Sequence, residues 1–476
     1  MNTQILIAFA IYFFILLAIG VISYHRQRND ADFVIGDRKL NFWLTAFSAH
    51  ASDMSAWLFM AFPAAIFIGG LPHAWIGIGL LSGMFFNWLL VAGKIRDETE
   101  KYNAYTLSAY FSGRYRDDKG TINFITAIMA VIFLTCYLAA GLIAMGYLLE
   151  SLFGIDYYFG LTVATLVAMT YTFMGGYSTV AKVDGFQAVF LFFILIIVPV
   201  VAYLSLPDGI QDIVVATESK AKSLSFFNLE GDNYFFGTLS LILGWGLGYF
   251  GQPHIITKFM GISSSSEMRK AMIVGMTWQT VTLTAAAAIG IIGIAYFPEG
   301  LQNPELVFVE IVKDLFPKLI GGFILCGVLA ANMSTMDSQI LVCASVLSED
   351  LYKKLLRPDA TPLELLRVSR IGVVIVSIFS LVIAFKKSST VLDAVLYAWS
   401  GLGCTFGPLI LMGLYYKKAN KFGAITGVLV GGIIAGVWPH VNLMIVSYPI
   451  PSMIPGFTLS MLSIYIFSNL TQQPAE

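Results

Sequence analysis

Apolar runs of about twenty residues recur along nearly the whole of this chain. That pattern leaves few folds open. A helix needs about twenty residues to cross a hydrocarbon core of about 30 Å, and in lipid the backbone must satisfy its own polar groups. Thirteen candidate spans can be placed, at residues 4–24, 42–70, 74–93, 122–150, 157–176, 185–206, 234–257, 271–297, 318–348, 368–385, 390–416, 422–439 and 453–470. They are numbered spans 1 to 13. The expected fold class is an all-α polytopic membrane protein with about thirteen transmembrane helices. Charged residues are 12% of the chain, against about 25% in soluble domains. A net charge of −1 gives no field suited to nucleic acid. The first apolar stretch lacks a basic flank and a small-residue cleavage site, so it reads as a retained span.

Loop charge sets the expected orientation. One side carries Arg26, Arg28, Arg38, Lys39, Lys94, Arg96, Lys101, Arg114, Arg116, Lys119, Lys182, Lys258, Arg269, Lys270, Lys353, Lys354, Arg357, Arg367, Arg370, Lys417, Lys418 and Lys421, which is 22 of the 28 basic residues. The other side has Lys220, Lys222, Lys313, Lys318, Lys386 and Lys387. The positive-inside rule then puts the N-terminus outside and the C-terminus in the cytoplasm of a cell inner (plasma) membrane. The connection Pro207–Asn233 is too short for a soluble domain, and Thr471–Glu476 leaves no room for a kinase or nucleotide-binding domain. No phosphate-binding glycine loop precedes a Lys-Ser/Thr pair, which argues against ATP-driven pumping. Cys136, Cys326, Cys343 and Cys404 lie inside apolar spans without a CxxC pair and read as reduced packing residues.

One residue breaks the apolar pattern most sharply. Asp53, in Ala51-Ser52-Asp53-Met54-Ser55, stands eleven residues into span 2. At about 1.5 Å per residue that is roughly 17 Å deep, near the bilayer centre. A carboxylate there costs about 2.5–3.5 kcal/mol by insertion scales. A cation, a solute or a buried partner has to offset that cost, so Asp53 points to translocation of ions or solutes.

Two spans are interrupted at corresponding positions. Span 2 follows its Ser-Asp-Met-Ser cluster with Pro63 and Gly69-Gly70. Span 7 reads Gly244-Trp245-Gly246-Leu247-Gly248-Tyr249-Phe250-Gly251-Gln252-Pro253, with four glycines and a proline in ten residues. A regular helix would lose several kcal/mol at such a composition. Five spans separate the breaks, so spans 2–6 and 7–11 suggest a five-plus-five inverted repeat with a binding site at the unwound segments. The expected divisions are residues 1–41, the first span and its loop; 42–206, the first repeat; 207–416, the second repeat; and 417–476, two peripheral helices and a short tail. Unwound backbone at membrane depth has to line a cavity. Trp245, Tyr249 and Pro253 fall four apart and would form an aromatic wall for a small, partly apolar solute. The alternative is that the glycines only let helices pack closely.

Span 9 supplies the third element, Ala330-Ala331-Asn332-Met333-Ser334-Thr335-Met336-Asp337-Ser338. Ser334, Asp337 and Ser338 share a face, again near mid-depth. Hydroxyls and freed carbonyls are hard, neutral oxygen donors of the kind that suit Na+. The alternative for a Ser-Thr pair is back-bonding to its own helix; a second intramembrane acid, Asp337, argues for function.

At these residues the chain resembles the sodium:solute symporter family. The matching stretches are Ala51-Ser52-Asp53-Met54-Ser55, Gly175-Gly176-Tyr177 with Asp184 and Gln187, the span 7 run through His254, Met333-Ser334-Thr335 and Ser348-Glu349-Asp350-Leu351-Tyr352, spread over almost the whole length. The span 7 stretch favours the family's proline branch over its sugar and sialic-acid branches. The resemblance implies a leucine-transporter-like inverted repeat. It also implies a Na+ site between spans 2 and 9, made of the carbonyls of Ala51, Met54 and Ala331 and the hydroxyls of Ser334 and Thr335. It implies a proline pocket at Ser52, Ser55, Tyr137, Trp245, Tyr249 and Pro253. Asp53 would support both ligands without coordinating the ion. Ala56 departs from the family's Gly, which narrows the cavity, and Asp337 stands where relatives more often carry Ser. Asp337, with Asp184, Ser338 and Ser334, then has three readings: a second cation site, a proton carrier, or an ion pair with a lysine such as Lys182.

The expected function is secondary active transport, coupling inward Na+ movement to uptake of a small amino acid, foremost L-proline, or else another small solute or osmolyte. The partners are Na+, the solute and the lipid bilayer, with no nucleic acid and no obligate protein partner evident. An ion channel would need a pore built by symmetry or a selectivity loop. An enzyme would need a nucleophile–base set or metal ligands, and His25, His50, His73, His254 and His440 form neither.

Overall fold

A computed structural model describes residues 3–24, 35–174, 176–227, 234–386, 390–446 and 449–471. His25, Arg26, Arg28, Gly175, Lys387 and residues 472–476 of the sequence reading lie outside them. Among the described residues the elements are helical, apart from one isolated bridge between Leu40 and Ile262. Among the described residues, nine helices are long and apolar enough to cross a bilayer, one bent pair forms a broken span, and three shorter apolar helices bring the apolar segments to thirteen. The longest unbroken helices, such as Thr121–Phe153 and Met268–Tyr296, fall where continuous apolar runs were read.

Both interrupted spans are broken, and the local chemistry explains each. Span 2 runs as Phe42–Asp53, a short turn Ala56–Leu58 and then Ala61–Gly69, with a bend of 70°. Asn41 Oδ1 accepts from Leu44 N–H at 2.9 Å and starts the first piece. The piece ends because Ser55 N–H donates to Asp53 O at 3.1 Å instead of continuing the helix. The Ser55 hydroxyl then accepts from Trp57 N–H at 3.2 Å and starts the next turn. Short polar side chains thus compete with the helical ladder at mid-span. Span 7 runs as Tyr234–Gly246, a tight turn Leu247–Gly251, an extended Gln252 (φ −90°, ψ 102°) and Pro253–Met260. Pro253 has no N–H to give and holds the preceding residue extended, so it ends one helix and opens the next.

The glycines of span 7 also permit close packing, which is the alternative reading of them. A methyl group at Gly246 would stand 2.6 Å from Gly79 O on span 3, and one at Gly248 would stand 1.9 Å from Trp399 Nε1 on span 11. Span 2 packs against spans 6, 8 and 9, and span 7 against spans 3 and 11. Spans 9 and 11 are 83% buried over their most apolar stretch, whereas spans 12 and 13 are 28% and 33% buried. The former pair is therefore the centre of the bundle and the latter its rim. Phe14, Leu17, Phe193, Phe379 and Leu443 are among the apolar side chains left on the outer surface, as a lipid-facing belt requires.

Two loop assignments need correction. Span 6 starts at Tyr177, not residue 185, so Lys182 and Asp184 are helical residues. Lys258 is not a loop charge either; it is 1% exposed inside Pro253–Met260. Each lies at the polar end of an apolar run, where hydropathy alone ends a span early. The connection after span 8 contains Val307–Leu315, a helix too short to register as a span, with Phe308 fully buried.

On the side of the basic loops a clasp ties four segments together. Leu40 N–H donates to Gly261 O at 3.1 Å, and Ser263 N–H donates to Leu40 O at 2.8 Å. Arg96 donates to Ile262 O at 2.7 Å and Ser263 O at 3.2 Å, and Tyr177 Oη donates to Thr257 O at 3.0 Å. The entrances to spans 2 and 6 and the end of span 3 are thereby fastened to the far end of broken span 7.

Candidate functional site: two oxygen clusters flanked by aromatic rings

Because Ser55 N–H turns to Asp53, the carbonyl of Ala51 is released from its helical bond. Span 9 meets it there. Ser334 Oγ lies 2.7 Å from Ala51 O and 2.9 Å from Ala331 O, and Thr335 Oγ1 lies 3.4 Å and 3.2 Å from the same two oxygens. Two hydroxyls carry two hydrogens for four such contacts, so lone pairs face one another with no proton between them. All four residues are buried. A surplus of neutral, hard oxygen lone pairs at one buried point fits an alkali cation. Met54 follows directly; its backbone (φ −87°, ψ 77°) has left the helical conformation. Ser334 and Thr335 are back-bonded to Ala331, as hydroxyls in membrane helices often are, yet each also reaches across to span 2.

Asp53, 6% exposed, is held by Tyr249 Oη, which donates to its Oδ2 at 2.5 Å. Gln279 Nε2 of span 8 donates to the same phenol oxygen at 2.8 Å. The broken segments of spans 2 and 7 are therefore joined by one hydrogen-bonded chain. Around it stand rings. Trp399 lies edge-on to Tyr249 at 5.0 Å between centroids, 6.5 Å from Tyr137 and 6.4 Å from Trp245. Its Nε1 donates to Trp245 O at 2.8 Å. Trp57 stacks on Phe62 at 5.1 Å and meets Trp245 at 5.2 Å. Tyr137, Trp245 and Tyr249 thus gather about Trp399. Ser55 is engaged in capping, and Pro253 lines a cleft on the basic-loop side.

A second cluster begins one residue further along span 2. Asp184 Oδ2 accepts from Ser48 Oγ at 2.6 Å, Ser52 Oγ at 3.3 Å and Lys258 Nζ at 3.2 Å. Ser52 Oγ lies 2.8 Å from Ser338 Oγ. Four spans meet here: 2, 6, 7 and 9. Asp337 points elsewhere, with Thr172 Oγ1 of span 5 at 2.7 Å from its Oδ1. The expected alternative of an Asp337–Lys182 pair does not form; the buried lysine is Lys258 and its acid is Asp184. A narrow cleft runs from Pro253, Lys258 and Ser338 past Tyr105, Thr106 and Ser345.

Sequence reasoning missed Ser48, Thr172, Lys258, Gln279 and Trp399. Signals existed for two of them. Gln279 is a polar side chain in the middle of an apolar run, and Trp399 lies in a Ser- and Gly-containing stretch. Nothing local marked Lys258, which follows the last apolar residues of span 7.

Comparison with known proteins agrees with this architecture. The sequence profile of the sodium:solute symporter family matches residues 33–431. The chain is 40% identical over 465 residues to the high-affinity proline transporter PutP of Bacillus subtilis (strain 168), covering 97% of each protein. It is 38% identical over 482 residues to a sodium/proline symporter of Escherichia coli (strain K12), covering 100% of this chain and 94% of that one. Among solved structures, a substrate-bound, outward-open Na+-coupled sialic acid symporter superposes with a TM-score of 0.82 at 18% identity, covering 100% of this chain and 99% of that one. MhsT in complex with L-phenylalanine superposes at 0.57 and 14% identity, covering 90% and 97%. The fold is leucine-transporter-like.

Proposed function

The chain belongs to the sodium:solute symporter family, and we propose that it couples inward Na+ movement to uptake of L-proline by alternating access. It is a transporter and not an enzyme. The observation that carries the proposal is the convergence of Ser334 and Thr335 hydroxyls on the released carbonyl of Ala51, at 2.7 and 3.4 Å across the span 2–span 9 junction. Na+ binds there to the carbonyls of Ala51, Met54 and Ala331 and to those two hydroxyls. In doing so it pins two elements that otherwise separate, favours the state with an ordered pocket, and so gives positive linkage between ion and solute. Proline lies between the breaks, its charged ends on freed backbone and on the hydroxyls of Ser52 and Ser55, its ring against Tyr137, Trp245 and Tyr249, with Pro253 at the floor. Asp53 acts through Tyr249, setting the phenol that faces the pocket. Identity near 40% to proline transporters over the full length supports the choice of solute.

The two groups of five spans, residues 42–206 and 207–416, move relative to one another, while residues 1–41 and 417–476 stay peripheral. The protein sits in the cell inner membrane with its N-terminus outside, so the membrane potential contributes about 2.3 kcal/mol per charge per 100 mV to uptake. The test is uptake of labelled proline into proteoliposomes, with other amino acids and osmolytes as competitors. Uptake should follow an imposed Na+ gradient and be displaced by proline before any competitor. Accumulation indifferent to Na+, or a steady Na+ current without solute as a channel would give, defeats the proposal.

A further inference from the structure

We infer that a cavity behind spans 4 and 11 holds a membrane phospholipid whose headgroup carries both a phosphate and a primary ammonium. The cavity has a volume of about 520 Å³, within the range of small-molecule sites. It lies away from the basic loops, where spans 10 and 12 end and span 11 begins. Spans 10 and 12 are 33% and 28% buried over their most apolar stretch, so the cavity borders the bilayer. Its wall is apolar, with Ile143 of span 4, Ile383 of span 10 and Leu396 of span 11. Along span 4 it reaches from Ile143 to Cys136, about 10 Å by helical rise, which is a slot for part of an acyl chain. Tyr397 and Trp438 also stand in the wall. Trp438 Nε1 donates to Ile450 O at 2.8 Å, so the polar tip of the ring is satisfied and its apolar face is left for a ligand.

The mouth carries two charges of opposite sign. Lys386, just past span 10, and Asp393, in the first turn of span 11, line the same cavity and are both exposed. Neither makes an ion pair with the other or with any other described residue. Asp393 Oδ2 accepts from Thr390 Oγ1 at 2.6 Å, which leaves Oδ1 for a ligand. An anionic lipid would satisfy the lysine and be repelled by the carboxylate. A quaternary headgroup would bring no N–H to the carboxylate. A phosphate joined to a primary ammonium gives each side chain a charge-assisted partner. The walls of this cavity also back the rings about Trp399: Cys136 precedes Tyr137 on span 4, and Tyr397 lies two residues before Trp399 on span 11. A lipid seated there braces the two helices that carry those rings.

Cys136 supplies a probe, because it is half-buried in the wall whereas Cys326, Cys343 and Cys404 are buried. The full-length protein is placed in nanodiscs of dioleoyl phosphatidylcholine, alone or mixed with dioleoyl phosphatidylethanolamine or dioleoyl phosphatidylglycerol. Maleimide labelling of Cys136 is then followed by peptide mass. Phosphatidylethanolamine should slow labelling by about tenfold against either other composition, and native mass spectrometry should show it retained on the chain. Lys386→Gln with Asp393→Asn should lose both the protection and the retention. Equal labelling in all three compositions overturns the inference, and so does protection that survives in the double variant. Protection as strong from phosphatidylglycerol would mark a plain cation site and overturn it too, as would protection by free proline in every lipid, the sign of a second solute site. If the double variant does not fold, the comparison of lipids on wild type still decides. No uptake is read, so a failure of the transport proposal leaves this test untouched.

Discussion

Ala51 and Ser52 are neighbours on span 2, yet they feed two clusters that differ in where the positive charge comes from. Ala51 contributes a carbonyl to a neutral set whose lone pairs face each other without enough hydrogens. Ser52 contributes a hydroxyl to a set built on a carboxylate, and there a lysine already sits. Both are buried and both join span 2 to span 9. The first is short of hydrogens as folded, and in the reading proposed above a Na+ completes it. The second holds its positive charge as folded and links spans 2, 6, 7 and 9, while Asp184 Oδ1 has no hydrogen-bond partner among the described residues. The placement of a single side chain, Lys258, makes the difference between an oxygen cluster with a built-in cation and a neighbour without one.

The strongest way to break this comparison is at the neutral set. Ser334→Ala with Thr335→Ala removes both hydroxyls, and at about 1.5 kcal/mol each the Na+ concentration for half-maximal uptake should rise by about 100-fold or more. A rise of less than about threefold would mean that the ion binds elsewhere. Next is the link between breaks. Tyr249→Phe removes the donor to Asp53 and the acceptor of Gln279. Half-saturation for proline should rise by about tenfold at saturating Na+, the equivalent of about 1.4 kcal/mol. An unchanged value in transport assays would take Asp53 out of solute recognition.

The smallest effect sharpens the contrast between a fully buried pair and one whose lysine is partly open to solvent. Asp117 and Lys421 make an acid–lysine pair at 2.6 Å in the basic-loop region, with Lys421 24% exposed. Asp117 Oδ2 also accepts from Ile122 N–H at 2.6 Å and caps the start of span 4. Burial pushes its carboxyl up, but the Lys421 ammonium and the helix N–H groups outweigh it and hold the group below the usual carboxylate range. The folded chain therefore binds fewer protons than the unfolded one near pH 4, so this contribution is complete above about pH 4 and fades as the pH falls through the folded value. Asp117→Asn should lower thermal stability by about 1 kcal/mol at neutral pH and by less in acid. Melting curves at neutral and acid pH check it; a loss as large as that for an unpaired Asp184 would erase the distinction between the two pairs.

The fold was legible because its signals are local. Span length follows from apolar runs. Pro253 ends a helix through its own ring, and the hydroxyls beside Asp53 compete for backbone within a turn. The neutral cluster was legible as a residue set only through resemblance; what the residues alone offered was a Ser-Thr pair at mid-depth. The acid cluster was misread because Lys182 and Lys258 lie at the polar ends of apolar runs, where composition cannot separate a loop charge from a buried one. Trp399 and Gln279 were passed over because an isolated ring or amide in a span gives no indication of what it faces.

By itself the sequence determined that this chain crosses a membrane many times, breaks two of its spans and buries acids and hydroxyls at mid-depth. Each of these depends on residues within a turn or two of one another. Only the tertiary structure decided which cation faces which acid. Asp184 and Lys258 are 74 positions apart, and Ser334 and Ala51 are 283 apart. Pairings at that range follow from how the helices pack, and the bilayer penalty on an unpaired charge makes the right pairing obligatory without writing it into any local pattern.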